Sequence, residues 1–319
     1  MALISSSIPD AASLLNQNEI VAIPTETVYG LAGNAFSAIA LKKIFELKQR
    51  PFYNPLIVHI KSVDDLKLIA AEIPKKAQVL ADTFWPGPLT LVLKKQANIP
   101  DLVTAGKDTV AIRVPNHPVA LSLLKQLNFP LAAPSANPFG SISPTKASHV
   151  ANYFSTSSLT VLEGGECRSG IESTIIGFEN ESAVLYRLGS VTIEEIEAVI
   201  GTLKINRHSE EAPAAPGMLS RHYAPKTQTI LTTNISETLS LFKTKRIGLL
   251  TFRDRHDDQN IVTQKVLSTN GNLAEAATHL YDALHQLDQL QLDVIIAEKF
   301  PKHGLGRSIN DRLERATKK

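Results

Sequence analysis

Short apolar runs that alternate with segments of helical period constrain this chain more than any other feature of its sequence. Residues 20–23, 56–60, 89–93, 109–114, 131–133, 159–162, 173–178 and 183–186 are strand-like. Between them lie helix signals. Ser7-Ile8-Pro9-Asp10 opens a helix over 11–18, and Ser37 caps one reaching Lys48 with Leu41, Ile44 and Phe45 on its inner face. Ser62-Val63-Asp64-Asp65 opens a third, and Thr192-Ile193-Glu194-Glu195 is a capping box for a helix to about Ile200. The alternation predicts an α/β fold, a sheet covered by helices.

The pattern breaks between Gly201 and Thr227. Residues 210–217 have no periodicity and carry punctuating Pro and Gly, which predicts a linker. Beyond it, 228–231, 246–251 and 294–297 are strand-like, and 272–290 is a helix with Leu273, Ala277, Leu280, Leu284 and Leu287 on one stripe. These predict a smaller Rossmann-like unit with a parallel sheet. A chain of 319 residues is longer than one core usually serves. The expected division is 1–200, a linker over 201–227, and 228–319.

Net charge is +2, so no global field draws nucleic acid or membrane, and a double-stranded RNA-binding module would carry a basic stripe that is missing. One cysteine, Cys167, excludes a disulfide within the chain and a cysteine-based zinc site. No apolar run nears the roughly 20 residues of a membrane span, and residues 1–7 lack the pattern of a signal peptide. A cytoplasmic location is the expectation. No Walker A loop, no His-Glu-x-x-His and no G-x-S-x-G occurs, and Gly304-Leu305-Gly306 lacks the third glycine of a dinucleotide fingerprint. A bound nucleotide would have to be held by side chains and irregular loops.

Five polar constellations could hold one. Pro24-Thr25-Glu26-Thr27-Val28-Tyr29-Gly30 ends a strand; it is either a set of loop ligands or a turn in which the Thr27 hydroxyl caps the following backbone. Lys48-Gln49-Arg50-Pro51-Phe52-Tyr53-Asn54-Pro55 and then His59 put two cations at a helix C-terminus. They complement the helix dipole, or they form a phosphate clamp on a path stiffened by two prolines. Arg113 stands among apolar residues in the strand over 109–114, which requires an internal carboxylate or a substrate carboxylate. Ala133-Pro134-Ser135-Ala136-Asn137, with Ser143 further along, is a polar turn or a close-approach ligand loop. Ser173-Thr174 and Arg187 complete the set.

Taken in order, these segments resemble the threonylcarbamoyl-AMP synthase family, with its YrdC-like catalytic unit. Ala215-Pro216-Gly217-Met218-Leu219-Ser220-Arg221-His222-Tyr223-Ala224-Pro225 and the C-terminal Gly304-Leu305-Gly306 and Asp311-Arg312-Leu313 resemble its longer, two-domain members. Ser308-Ile309-Asn310 departs from the more apolar run expected before Asp311. Superfamily members that activate carbamoyl phosphate carry zinc-finger cysteines, which a single Cys167 cannot supply.

The resemblance implies a twisted open sheet around a cationic cavity and synthesis of threonylcarbamoyl-AMP from ATP, L-threonine and bicarbonate, for modification of tRNA. It assigns Thr27, His59, Arg113, Ala133 and Ser173 to threonine. It assigns Arg50, Asn54, Thr109, Ser135, Ser143, Arg187 and Tyr223 to the nucleotide, with Asn137 in the same loop and Lys48 adding charge near the phosphates. Lys48, Arg50 and Arg113 would stabilise the developing charge. Magnesium is implied by ATP and by no ligand motif. The product would pass to a tRNA threonylcarbamoyl transferase, and residues 216–225 would fold over the cavity as a lid.

Overall fold

The computed structural model describes residues 1–179, 181–205 and 223–318. Most of the linker, and with it most of the expected lid segment, lies outside the described residues. The first sheet begins with β1 (Leu3–Ser5), β2 (Val21–Ile23), β3 (Gly30–Asn34) and β4 (Ile57–His59). It continues with β5 (Leu89–Lys94), β6 (Thr109–Arg113), β7 (Leu131–Ala132) and β8 (Thr160–Leu162). β9 (Thr174–Glu179), β10 (Ser182–Arg187) and β11 (Lys204–Ile205) complete it, in the order β1-β8-β2-β3-β7-β4-β6-β5-β9-β10-β11. A second sheet is wholly parallel: β12 (Thr229–Thr232), β13 (Ile247–Thr251), β14 (Ile261–Val266) and β15 (Val294–Glu298), in the order β12-β15-β13-β14. Both predicted sheets are present.

Strand alternation gives the first sheet two unlike faces. Val58, Leu91, Leu93, Val110, Ile112 and Ile176 point into the main core, where Phe45, Leu80 and Ala81 cover them from flanking helices. Their neighbours Ile57, Ala111, Val92 and Ile175 form a small apolar patch on the opposite face. His59 and Arg113 continue that face at the strand ends. β4 and β6 pair parallel with His59 in register with Arg113, so the two polar side chains arrive together.

Several elements were not predicted by periodicity, and packing explains them. β3 is Gly-Leu-Ala-Gly-Asn, poor in β-formers. A Cβ at Gly33 would stand 3.2 Å from both Ala40 Cβ and Ile44 Cδ1, so glycine lets the helix Ala38–Lys48 lie close on the strand. The helix Leu305–Ala316 has a narrow apolar stripe of Leu305, Ile309, Leu313 and Ala316, and beside it the helix buries polar groups. Ser308 Oγ donates to the Gly189 carbonyl at 2.8 Å, and the Asn310 amide accepts from Phe300 N and donates to Phe300 O. The departure at Ser308-Ile309-Asn310 thus has a structural reason.

The two sheets share one continuous core. Val28, Ile142, Ile171 and Tyr223 pack in a single cluster with Leu280, Tyr281, Leu284, Ile309 and Leu313. The helix Leu273–Asp288 presses onto Gly170, whose φ of +68° suits glycine and whose Cβ would fall 2.3 Å from Thr278 Cα. Lys146 and His149 both reach Asp282, and His285 stacks on His149 with ring centroids 3.9 Å apart. Among the described residues, no helix is long and apolar enough to cross a membrane.

Candidate active site

The segment Pro24–Tyr29 connects the antiparallel strands β2 and β3, and its turn is made by Thr25 rather than Thr27. Thr25 Oγ1 donates to the Val28 carbonyl at 2.6 Å and accepts from Thr27 N and Val28 N. That releases Thr27 Oγ1 to accept from Arg113 Nη1 at 2.9 Å. Tyr29 is buried, and its hydroxyl donates to the Gly165 carbonyl, so it is structural.

Arg113 is 3% exposed and its donors converge on this turn. Nε donates to the Gly87 carbonyl at 3.1 Å, and Nη2 makes an ion pair with Glu26 at 2.6 Å outside hydrogen-bonding geometry. The internal carboxylate is therefore present, yet Arg113 still faces the cavity. Burial, and then the charge of Arg113, push His59 down to about 3, so it enters the cavity as neutral imidazole.

After the helix Ala38–Lys48, Gln49 adopts φ +53° and turns the chain sharply, which directs Arg50 inward. Arg50 Nε and Nη2 donate only to the carbonyls of Asn54 and Pro55. Burial lowers Arg50 to about 9; Tyr223 opposes this and Arg187 adds to it. The guanidinium stays cationic at neutral pH, and among the described residues no carboxylate pairs with it. Asn54 is fully buried, and neither atom of its side-chain amide has a hydrogen-bond partner there.

Most of these side chains gather around one cavity. Thr27, Arg50, His59, Arg113, Ala133, Ser135, Ser173, Arg187 and Tyr223 all line it, drawn from both sides of the sequence. Five expected residues do not. Lys48 Nζ is buried and donates to the carbonyls of Ser135 and Asn137, so it holds the 135–137 loop in place. Asn137 donates to the carbonyls of Pro138 and Ser141, and Ser143 Oγ donates to Glu172. Asn54 is off the lining, and its backbone carbonyl accepts from Arg50 Nε. Thr109 shares the face of Arg113 but sits four residues back along β6, roughly 13 Å away.

Glu172 is the functional neighbour that sequence reasoning missed. It lines the cavity and is gripped by Arg312, which is 140 residues later in the chain. Thr25, Val28, Gly30, Ile57 and Pro134 line it too, without a distinguishing sequence signal. Tyr223 enters from the second half with φ +62°, and the following Ala224 N donates to the Gly140 carbonyl.

Residues 13–189 match a family described as "Telomere recombination", and residues 191–317 match "Threonylcarbamoyl-AMP synthase, C-terminal domain". The chain is 42% identical to threonylcarbamoyl-AMP synthase of Pyrococcus abyssi, covering 96% of this chain and 93% of that protein. The chain belongs to the threonylcarbamoyl-AMP synthase family. The Bacillus subtilis synthase is also 42% identical, over 97% of this chain and 92% of its own length. The crystal structure of P. abyssi Sua5 complexed with L-threonine superposes with a TM-score of 0.93 at 40% identity, covering 99% of this chain and 97% of that one. The expected family and its two-domain α/β architecture therefore hold.

Proposed function

We propose that this chain is an L-threonylcarbamoyladenylate synthase, which joins L-threonine, bicarbonate and ATP into threonylcarbamoyl-AMP and pyrophosphate for modification of tRNA. The observation that carries the reading is a single cavity flanked by two unlike cationic walls. One wall has Arg113 beside the Thr27 hydroxyl and neutral His59. The other has Arg50 and Arg187 beside Ser135 and Tyr223.

The first wall suits threonine: a guanidinium for the carboxylate, a hydroxyl partner in Thr27 or Ser173, and small Ala133 to admit the side chain. The second suits a triphosphate and an adenosine ring, with the Asn54 carbonyl accepting from Arg50 Nε. Lys48, Asn137 and Ser143 act one layer out, fixing the loop and Glu172. Thr109 has no role here unless the nucleotide extends along β6.

The chemistry asks for positioning more than for a covalent intermediate. The threonine amine adds to bicarbonate with loss of water, giving a carbamate. A carbamate oxygen then attacks the α-phosphorus in line and pyrophosphate leaves. Arg50 and Arg113 hold the two anions together and stabilise the charge that develops. Among the described residues, no group of three His, Cys, Asp or Glu is placed to hold a metal. The cavity carboxylate Glu172 is already engaged, so a magnesium ion would sit on the phosphates of ATP rather than in a protein cage. The division into residues 1–200, 201–227 and 228–319, a covering role for 216–225, a cytoplasmic setting and a downstream tRNA transferase belong to this same proposal.

Pyrophosphate release tests it, measured with ATP and magnesium while threonine and bicarbonate are omitted in turn. Release should need both. Release that continues without either one contradicts the reading.

A further inference from the structure

We propose that Glu172, Arg312 and Tyr281 form a positioning clamp through which helices of the second sheet set the nucleotide side of the cavity; this deepens the functional reading and rests on it. Glu172 faces the cavity next to Ser173. Its Oε2 accepts from Arg312 Nε at 2.8 Å and from the Tyr281 hydroxyl at 2.9 Å. Its Oε1 accepts from Ser143 Oγ at 2.6 Å. Among the described residues, Glu172 is the one carboxylate that lines the cavity.

Arg312 is buried and holds three things at once. Besides Glu172, its Nη2 donates to the Leu188 carbonyl at 2.6 Å, and its Cζ lies 5.0 Å from the centroid of the Tyr223 ring. Nη1 reaches Asp311, a carboxylate that Arg315 also pairs. Arg312 thus grips the end of β10, a carboxylate in the cavity wall and the aromatic lining together.

The clamp acts on Arg187 through backbone contact. Ser308, one turn before Arg312 on the same helical face, donates to the Gly189 carbonyl. A Cβ on Gly189 would fall 2.3 Å from the Ser173 carbonyl carbon, so 187–189 and 172–174 are pressed together. Arg187 Nη2 donates to Ser173 O at 2.7 Å and to Ser173 Oγ at 3.1 Å, which fixes its guanidinium in the cavity.

Charge gives the clamp its consequence. Burial opposes ionisation of Glu172, yet Arg312 and then Arg187 hold it down at about 2. Glu172 is therefore no proton acceptor at neutral pH. Without Arg312, the cation left beside it is Arg187, and the carboxylate would draw that guanidinium away from a phosphate.

Calorimetric titration of the full chain with ATP, and separately with L-threonine, tests the clamp on Arg312→Gln, Arg312→Lys and Tyr281→Phe. Arg312→Gln should weaken ATP binding about tenfold or more, and Tyr281→Phe about threefold. Threonine affinity should stay within about twofold. Arg312→Lys, which keeps the charge, should recover part of the loss. Unchanged ATP affinity in all three, or equal losses for both ligands, overturns the proposal. Should Arg312→Gln not fold, the other two variants decide the matter. Product synthesis by the unaltered chain is scored apart: absent synthesis with the ATP effects intact keeps the clamp and removes the functional reading.

Discussion

Buried charge is arranged differently at the seam between the sheets and in the cavity of the first sheet. At the seam, the buried guanidinium of Arg312 and the half-buried ammonium of Lys146 each meet an acid. Arg312 has Glu172 and Asp311, and Asp282 takes Lys146 and His149. In the cavity, Arg50 donates only to backbone carbonyls, and among the described residues no carboxylate answers it. A seam completes its own electrostatics, whereas a ligand site leaves charge for the ligand to complete. Arg113 stands between the two cases, paired with Glu26 and still lining the cavity. An internal ion pair and a substrate contact are thus not exclusive alternatives.

The comparison breaks most easily at Arg312. Arg312→Met leaves a buried carboxylate without its guanidinium, and urea titration should find the chain about 3–5 kcal/mol less stable. A change under about 1 kcal/mol would put seam and cavity in the same class. Acid sharpens the contrast next. Glu172 has its ordinary value of 4.5 lowered to about 2 in the folded chain. Its stabilisation is therefore complete above about 4.5 and is lost as pH falls toward 2, about 3 kcal/mol in all. Glu172→Gln should flatten the stability profile across that window; an unchanged acid limb would deny the pairing.

Arg50→Met should show the converse. ATP affinity falls about tenfold to a hundredfold while the thermal midpoint holds or rises, because a buried charge lacking a carboxylate partner has been removed. Lost stability with intact ATP binding would make Arg50 a seam residue. The smallest effect is Ser308→Ala, about 1 kcal/mol of stability from a single hydrogen bond to Gly189. Denaturant midpoints at equal slope would measure it.

What was legible in the sequence divides along the same line. The strands bearing Val58, Ile112 and Ile176 announce themselves by apolar runs, and Arg113 stands out because a cation inside such a run needs an anion. Thr192 and Glu195 form the predicted capping box. β3 was hidden because its glycines trade β-propensity for close packing. The pairing of Glu172 with Arg312 was hidden for another reason: Asp311-Arg312-Leu313 stood out only as a motif, and only the fold brings residues 140 apart into contact. Local chemistry marks loop ligands, but it cannot mark a partner supplied by a distant helix. Of the two readings open at Pro24–Gly30, the turn belongs to Thr25 rather than Thr27, and the two threonines are alike until Arg113 arrives from β6.

The central claim is that one cavity joins threonine, bicarbonate and ATP. The most direct measurement is the mass of the nucleotide product made from isotopically labelled bicarbonate. The label should appear in an adenylate that also contains threonine, and should vanish when threonine is left out. An unlabelled adenylate, or label incorporated without threonine, would contradict the account.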